Sequence, residues 1–152
     1  MPLAALVVTP MAAEDTAAAK VVIVAGLEER WGLYEPKYNP DLEDFQFFYK
    51  DSVVLVAKNG ISLVGVGILQ PQSAEKARIV RMSVSLNSRR QGIGSSILLG
   101  LVAAARQRGF KALGLETTAS WRSAVEFYKK HGFAPTKIHE GDQYFRLAAS
   151  EA

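Results

Sequence analysis

The sequence predicts an α+β fold: a mixed, mostly antiparallel sheet with helices on its faces and one crossover. Three observations predict it. Residues 52–58, 61–69 and 77–86 are runs rich in β-branched and apolar side chains, separated by short polar turns of which Asn59-Gly60 is a strong hairpin signal. Residues 97–107 are apolar and made of good helix formers, and a further strand-like run, 111–117, follows. A strand, a helix and a strand in that order suit a parallel pair joined by a right-handed crossover. Last, residues 136–140 and 143–147 flank Gly141-Asp142 and predict a closing hairpin.

The other elements follow in chain order. Residues 3–9 form a short apolar run ended by Pro10, a first strand. Glu14 and Asp15 then fall in the opening turn of a helix over about 13–31, where the helix dipole favours acids. Val21-Val22-Ile23-Val24 is β-branched, yet Ala-rich sequence precedes it and Leu27-Glu28-Glu29-Arg30 continues it without a break, so the run is assigned to the helix. Residues 32–40 are a loop with aromatics, after which Asn39 or Asp41 caps a short helix, 42–49. Gly65 and Gly67 mark a bulge or a close backbone approach inside their strand. Ser120 is the expected cap of a helix over 121–130, and Gly132 supplies the left-handed residue that ends it. The total is seven strands and about four helices.

Composition narrows the function classes. A chain of 152 residues is expected to form one domain, 1–152. It has no Cys, which removes disulfides, thiolate nucleophiles and Cys-based metal sites. His131 and His139 lack metal-ligand spacing, and no metal is expected. A net charge of +3 without a run of Lys and Arg argues against nucleic acid and suits a small anionic ligand. No leader pattern and no stretch of about 20 apolar residues is present, so no membrane association is expected and the cytoplasm is the default compartment.

The chemistry concentrates at Arg89-Arg90-Gln91-Gly92-Ile93-Gly94-Ser95-Ser96. A strand feeds a Gly-rich turn that opens a helix. The first amides of a helix have no internal partners and carry the positive end of its dipole, which makes a phosphate site. Gly92 and Gly94 let phosphates approach the backbone, and Arg89 and Arg90 add cations at the rim. The P-loop pattern is absent, and position 97, where the Rossmann fingerprint wants a third Gly, is Ile. The stretch resembles the acyl-CoA pyrophosphate loop of the GNAT superfamily of N-acetyltransferases, with Arg89, Gly92 and Gly94 in register. Ala124-Val125-Glu126-Phe127-Tyr128-Lys129-Lys130-His131-Gly132-Phe133 resembles that family's last motif: Ala, three residues, Tyr, then Gly-Phe. The resemblance is strong from about Ile79 to Phe133 and topological before it.

The resemblance implies a GNAT fold and acetyl-CoA as cofactor. It places Met82, Ser83 and Val84, the loop from Arg89 through Arg90, Gln91, Gly92, Ile93 and Gly94 to Ser95, and Ser120, Ala124 and Tyr128 against the cofactor. In the family the Tyr protonates the leaving thiolate and a fourth-strand amide, here about Met82 to Val84, steadies the oxyanion. Histone-type members carry a Glu where Arg78 stands, so Glu116, acting through water, is the candidate base. The family often has Asn where this chain has Trp121. Arg81-Met82-Ser83 and Leu115-Glu116-Thr117 resemble members acting on small amines. Arg78 or Arg81 is a candidate partner for a substrate carboxylate, and Trp31, Tyr34, Glu35 and Tyr38 sit where the family walls its acceptor pocket. The expected function is acetyl transfer to a primary amine of a small molecule, an amino acid or related amine, in a ternary complex. The alternatives are a protein N-terminal or lysine acetyltransferase and a non-catalytic CoA sensor. The family is often dimeric, which makes a homodimer an expectation.

Overall fold

The computed structural model describes residues 6–149. Seven strands form one sheet: β1 (Leu6–Pro10), β2 (Val53–Asn59), β3 (Ser62–Pro71), β4 (Lys76–Val84), β5 (Ala112–Thr118), β6 (Ala134–His139) and β7 (Asp142–Ala148), in the order β1-β2-β3-β4-β5-β7-β6. Every neighbouring pair is antiparallel except β4 with β5. Residues 3–5 of the expected first strand lie outside the described residues. Among the described residues no helix is long and apolar enough to cross a membrane.

One face carries α1 (Thr16–Trp31), α2 (Pro40–Glu43) and α3 (Phe45–Phe48), and the other carries α4 (Ile93–Gln107) and α5 (Arg122–Lys130). The β-branched run in α1 is helical because Ala19, Val22 and Ile23, at helical spacing, bury against Val56, Val66 and Ile68 of the sheet. That packing outweighs the β preference of the run. Gly32, at φ 81°, ends α1 with its N–H donating to the Glu28 carbonyl at 2.7 Å.

Three boundaries differ from the expectation. The helix expected over 42–49 is two single turns, broken at Asp44, whose φ of −134° is not helical. So short a segment, rich in Phe and Asp, has little helical preference to resist the pull of Asp41, Phe45 and Tyr49 into the interior. The Asn39 side chain makes no cap bond; it donates to the Glu35 carbonyl at 2.8 Å. Ser120 likewise caps nothing: Trp121 is the N-cap residue of α5 and Ser120 lies exposed in the preceding turn. Gly132, at φ 90°, does end that helix.

Two features of β4 position the site. Opposite β3, Val66 pairs with Ser83 and Ile68 with Val80, so Gly67 faces two residues, Arg81 and Met82. This is a β-bulge, and Arg81 takes the left-handed conformation at φ 56° that the extra residue requires. A Cβ on Gly67 would lie 2.5 Å from Met82 Sδ and 2.7 Å from Ile97, so only glycine lets α4 seat on the bulge. Arg81 and Ser83 turn to the α1 face, where Ser83 donates to the Val22 carbonyl at 3.1 Å; Met82 and Val84 pack on the α4 side. Then β4 and β5 pair only over Lys76–Ala112, Ala77–Leu113 and Arg78–Gly114. Beyond Arg78 they diverge, and the β5-facing edge of β4 has no strand partner.

Candidate active site

The gap left by the splayed strands is a cleft of about 920 Å³ between α1, β4, β5, α4 and α5. Its floor begins where β4 ends. A 3-10 turn, Leu86–Ser88, leads to Arg89, then to Arg90 at φ 65° and Gly92 at φ 78°, and α4 starts at Ile93, four residues earlier than the apolar run suggests. Its first internal bond runs from the Ser96 N–H to the Gly92 carbonyl at 3.0 Å. The amides of Ile93, Gly94 and Ser95 therefore precede the intrahelical ladder, and no side chain caps them. Nothing lies within 4 Å of where a Cβ on Gly92 would be, and at Gly94 the nearest atom is the Phe127 ring at 3.5 Å. Open amides over a surface without side chains fit a diphosphate in shape and in charge.

The cations around this cradle divide into two sets. Arg89 is not the free rim cation expected: its Nε donates to the Val84 carbonyl at 3.1 Å and its two Nη groups clasp the Glu29 carboxylate, Nη1 at 2.7 Å. It fastens α1 to the loop, and its charge holds the Glu29 carboxyl below the usual range. Arg90 and Lys130 line the cleft and form no ion pair among the described residues. Ser95 is held from α5, its Oγ 2.9 Å from His131 Nε2, while His131 Nδ1 lies 2.8 Å from the Phe127 carbonyl. Gln91 and Ser120 do not reach the cleft wall, and the Ile93 side chain is core, so only its amide serves the loop.

The far wall is α5. Ala124, Phe127 and Tyr128 line the cleft, with Met82, Ser83 and Val84 opposite. Tyr128 packs its ring on Phe127, Phe133 and Phe145, with centroids 5.1 to 6.1 Å away. Burial pushes its phenol up to about 12, with the nearby Arg30 cation pulling the other way. The phenol is therefore protonated at neutral pH, the state a proton donor needs.

Two carboxylates line the cleft and both are engaged. Glu116 is bridged by Arg78 at 2.5 Å, and its carboxylate raises the nearby Tyr144 phenol. The candidate base is thus half of an ion pair, and Arg78 is correspondingly not free for a substrate. Asp41, 7 % exposed, accepts from Arg81 Nε at 2.9 Å, from Arg81 Nη2 at 2.7 Å and from the Tyr49 hydroxyl at 2.6 Å, and Asn39 Oδ1 takes a further Arg81 N–H. Burial raises the Asp41 carboxyl, but these donors outweigh it and hold it below its usual range. Arg81 therefore anchors α2 to the bulge and does not present a free guanidinium. Trp31, Tyr34, Glu35 and Tyr38 do not line the cleft: Trp31 and Tyr38 are exposed, the Tyr34 hydroxyl donates to Glu43, and the Glu35 carbonyl accepts from the Asn39 side chain.

The residue that sequence reasoning missed is Arg30. Its guanidinium lies 3.6 Å from the centroid of the Trp121 ring, spanning from α1 to the start of α5 inside the cleft. Its signal was the departure at Trp121, where the family pattern often has Asn.

The model of the Acetyltransferase (GNAT) family matches residues 23–133. The chain belongs to the acetyltransferase (GNAT) family, whose cofactor is acetyl-CoA. It is 30% identical over 100 residues to the protein named "Probable N-acetyltransferase camello" of Xenopus laevis, covering 64% of this chain and 46% of that one. The chain thus spans about half the length of the curated relatives it matches. Among solved structures, a GNAT-family acetyltransferase from Staphylococcus aureus Mu50 superposes with TM-score 0.83 at 17% identity, over 96% of this chain and 100% of that one. PaiA N-acetyltransferase from Thermoplasma acidophilum, solved in complex with coenzyme A, gives 0.79 at 17% identity, over 95% and 99%. The fold is that of the GNAT acetyltransferases.

Proposed function

We propose that this protein, acting as one domain over residues 1–152, transfers the acetyl group of acetyl-CoA to a primary amine of a small molecule, an amino acid or a related amine, by direct attack within a ternary complex. The observation that carries the reading is that the uncapped amides of α4 and the protonated phenol of Tyr128 open onto one cleft. Bound there, acetyl-CoA supplies a thioester whose carbonyl carbon accepts the amine and whose thiolate leaves. Gly92, Gly94 and the Ile93 to Ser95 amides hold the diphosphate, with Arg90 and Lys130 flanking it. The unpaired edge of β4, Met82 to Val84, lies along the thioester arm and offers an amide to the developing oxyanion. Tyr128 gives its proton to the thiolate, a fair leaving group because a thiol's pKa is about 8.5. The amine's proton leaves through water toward Glu116, which its pairing with Arg78 holds in the cleft wall. A homodimer is the proposed assembly, and β6, an edge strand exposed along its length, is the surface that suits it.

The test is an acetyl-transfer panel of free amino acids, polyamines and peptides, with thiol release as readout. Turnover on free small amines is the expected result. Transfer confined to peptides overturns the substrate class, and CoA binding without turnover on any amine overturns the enzymatic reading.

A further inference from the structure

The arginines of the cleft are not equivalent. Arg78, Arg81 and Arg89 are each matched to a carboxylate of the protein: Glu116, Asp41 and Glu29. Arg90 is exposed to water. Arg30 differs from all of these. Among the described residues it makes no hydrogen bond and no ion pair, and its Nε is sealed from solvent without an acceptor. Asp142 and Glu29 lie near enough to support its charge, but neither bonds to it, so its donors are left for a ligand to complete. Its guanidinium carbon sits over the Trp121 ring, 3.6 Å from the centroid, which restrains it. A guanidinium restrained in this way offers its N–H fork, the geometry that a carboxylate matches with two parallel bonds.

The place of Arg30 says which ligand group it meets. Farther along the chain, Phe127 and His131 abut the phosphate cradle: the Phe127 ring would lie 3.5 Å from a Cβ on Gly94, and His131 Nε2 is 2.9 Å from Ser95 Oγ. Trp121 precedes these residues by six and ten positions, which at 1.5 Å per residue is about 9 and about 15 Å along the helix. Arg30 therefore stands well away from the diphosphate amides. It stands near Tyr128, whose side chain leans back toward the start of α5 and whose phenol feels the Arg30 charge. That is the end of the cleft where acyl transfer takes place. Thr117, also in the wall, has a buried hydroxyl without a partner and adds a second unused donor there.

We propose that Arg30, held over Trp121, is the anchor for a carboxylate on the acceptor, so that the acceptor is a small primary amine that also bears a carboxylate, as free amino acids do. The inference rests on the acetyl-transfer reading above. It assigns to Arg30 the role that the sequence offered to Arg78 or Arg81.

The experiment compares matched acceptors, amino acids against their primary amides and their decarboxylated amines, on the full chain with acetyl-CoA. The unaltered protein should favour the acids by at least roughly tenfold in kcat/KM. Arg30→Gln should lower kcat/KM for the acids roughly 30-fold or more, mainly through KM, as loss of a charge-assisted bond implies. It should change the amides less than about threefold and leave the KM for acetyl-CoA unaltered. Arg30→Lys should recover part of the loss, since it keeps the charge without the fork. Equal losses on acids and amides, or a preference for amides in the unaltered protein, overturn the anchor while leaving acetyl transfer standing. Binding is read separately by Trp121 emission in a Trp31→Phe background, Trp31 being 61% exposed and outside the cleft. N-acetyl amino acids titrated with CoA present should shift that emission, and Arg30→Gln should abolish the shift. No shift with any carboxylate overturns the proposal even where no acceptor turns over. Absence of thiol release with every amine overturns the enzymatic reading instead.

Discussion

Gly92 permits a test of the phosphate cradle that separates folding from binding. It stands at φ 78°, exposed, with nothing within 4 Å of a prospective Cβ. A side chain there meets no steric barrier, and its cost is the left-handed backbone, about 1 kcal/mol for most residues and less for Asn and Asp. Gly92→Asn and Gly92→Asp are therefore a matched pair: equal in size, both tolerant of this conformation, and different by one charge. In the free protein the carboxylate sits at the positive end of α4 and is favoured by about 0.3–1 kcal/mol. The Asp variant should melt at or above the Asn variant. In the complex the same carboxylate faces a diphosphate at about 4 Å, where a pair of like charges costs about 1 kcal/mol in water-like surroundings and about 4 kcal/mol at an effective dielectric near 20. A cost between these limits makes Asp bind CoA at least about tenfold more weakly than Asn. The two orders oppose each other: the more stable variant binds less. Calorimetric titration with CoA at two salt concentrations, beside thermal melts, reads both, and the gap in affinity should narrow as salt rises. Equal affinities of Asn and Asp for CoA would remove the diphosphate from the start of α4, and with it the cleft's polarity.

The other expectations concern the two walls and their fastenings. Tyr128→Phe keeps the ring packing and removes the proton donor, so kcat should fall with little change in the KM for acetyl-CoA or in Tm; an unchanged kcat assigns the proton to water. Asp41→Asn should destabilise by about 2–4 kcal/mol in urea titration, because it strands Arg81 at the bulge. Asp41 also predicts a pH dependence. Its folded pKa lies below the unfolded value of about 3.9, so its contribution is full above that value and is lost as pH falls through the folded one. The urea midpoint should therefore drop on acidification below about pH 4, and by less in Asp41→Asn; equal slopes for the two would refute the assignment. Arg89→Gln and Glu29→Gln should each cost less than about 1 kcal/mol, with non-additive effects in the double variant, because the pair is partly exposed. A large loss of CoA affinity in Arg89→Gln alone would restore Arg89 as a phosphate ligand.

Most of the fold was legible because its signals are local. Asn59-Gly60, the β-branched and apolar runs of the meander and Gly132 each state a turn, a strand or a helix end within a few residues. Gly65 and Gly67 correctly marked the close approach of α4, and Gly67 the bulge. What failed was also local, but for want of signal. Residues 40–48 have no strong period and no cap, and the interior draws single residues from them. Ile93, hidden inside a Gly-rich motif, did not advertise itself as the first residue of α4.

The site was legible where its chemistry belongs to the backbone and illegible where it depends on pairing. The amides of α4 are open whatever surrounds them, so glycines and a helix start suffice to find them. An arginine's availability is decided by partners far away in sequence: Arg78 meets Glu116 across 38 positions, Arg81 meets Asp41 across 40, and Arg89 meets Glu29 across 60. Each of these was a candidate ligand contact from its position in a motif, and each is spent on holding one element to another. The three pairs share a cause. Splaying β4 from β5 gives up the ladder beyond Arg78, and ion pairs tie β4 and its following loop to β5, α2 and α1 in its place. A cation left out of that ion-pair bracing is then informative, because its hydrogen-bond donors are not used by the fold. Arg30 is such a cation: it stacks on Trp121 and, among the described residues, bonds to no carboxylate of the protein.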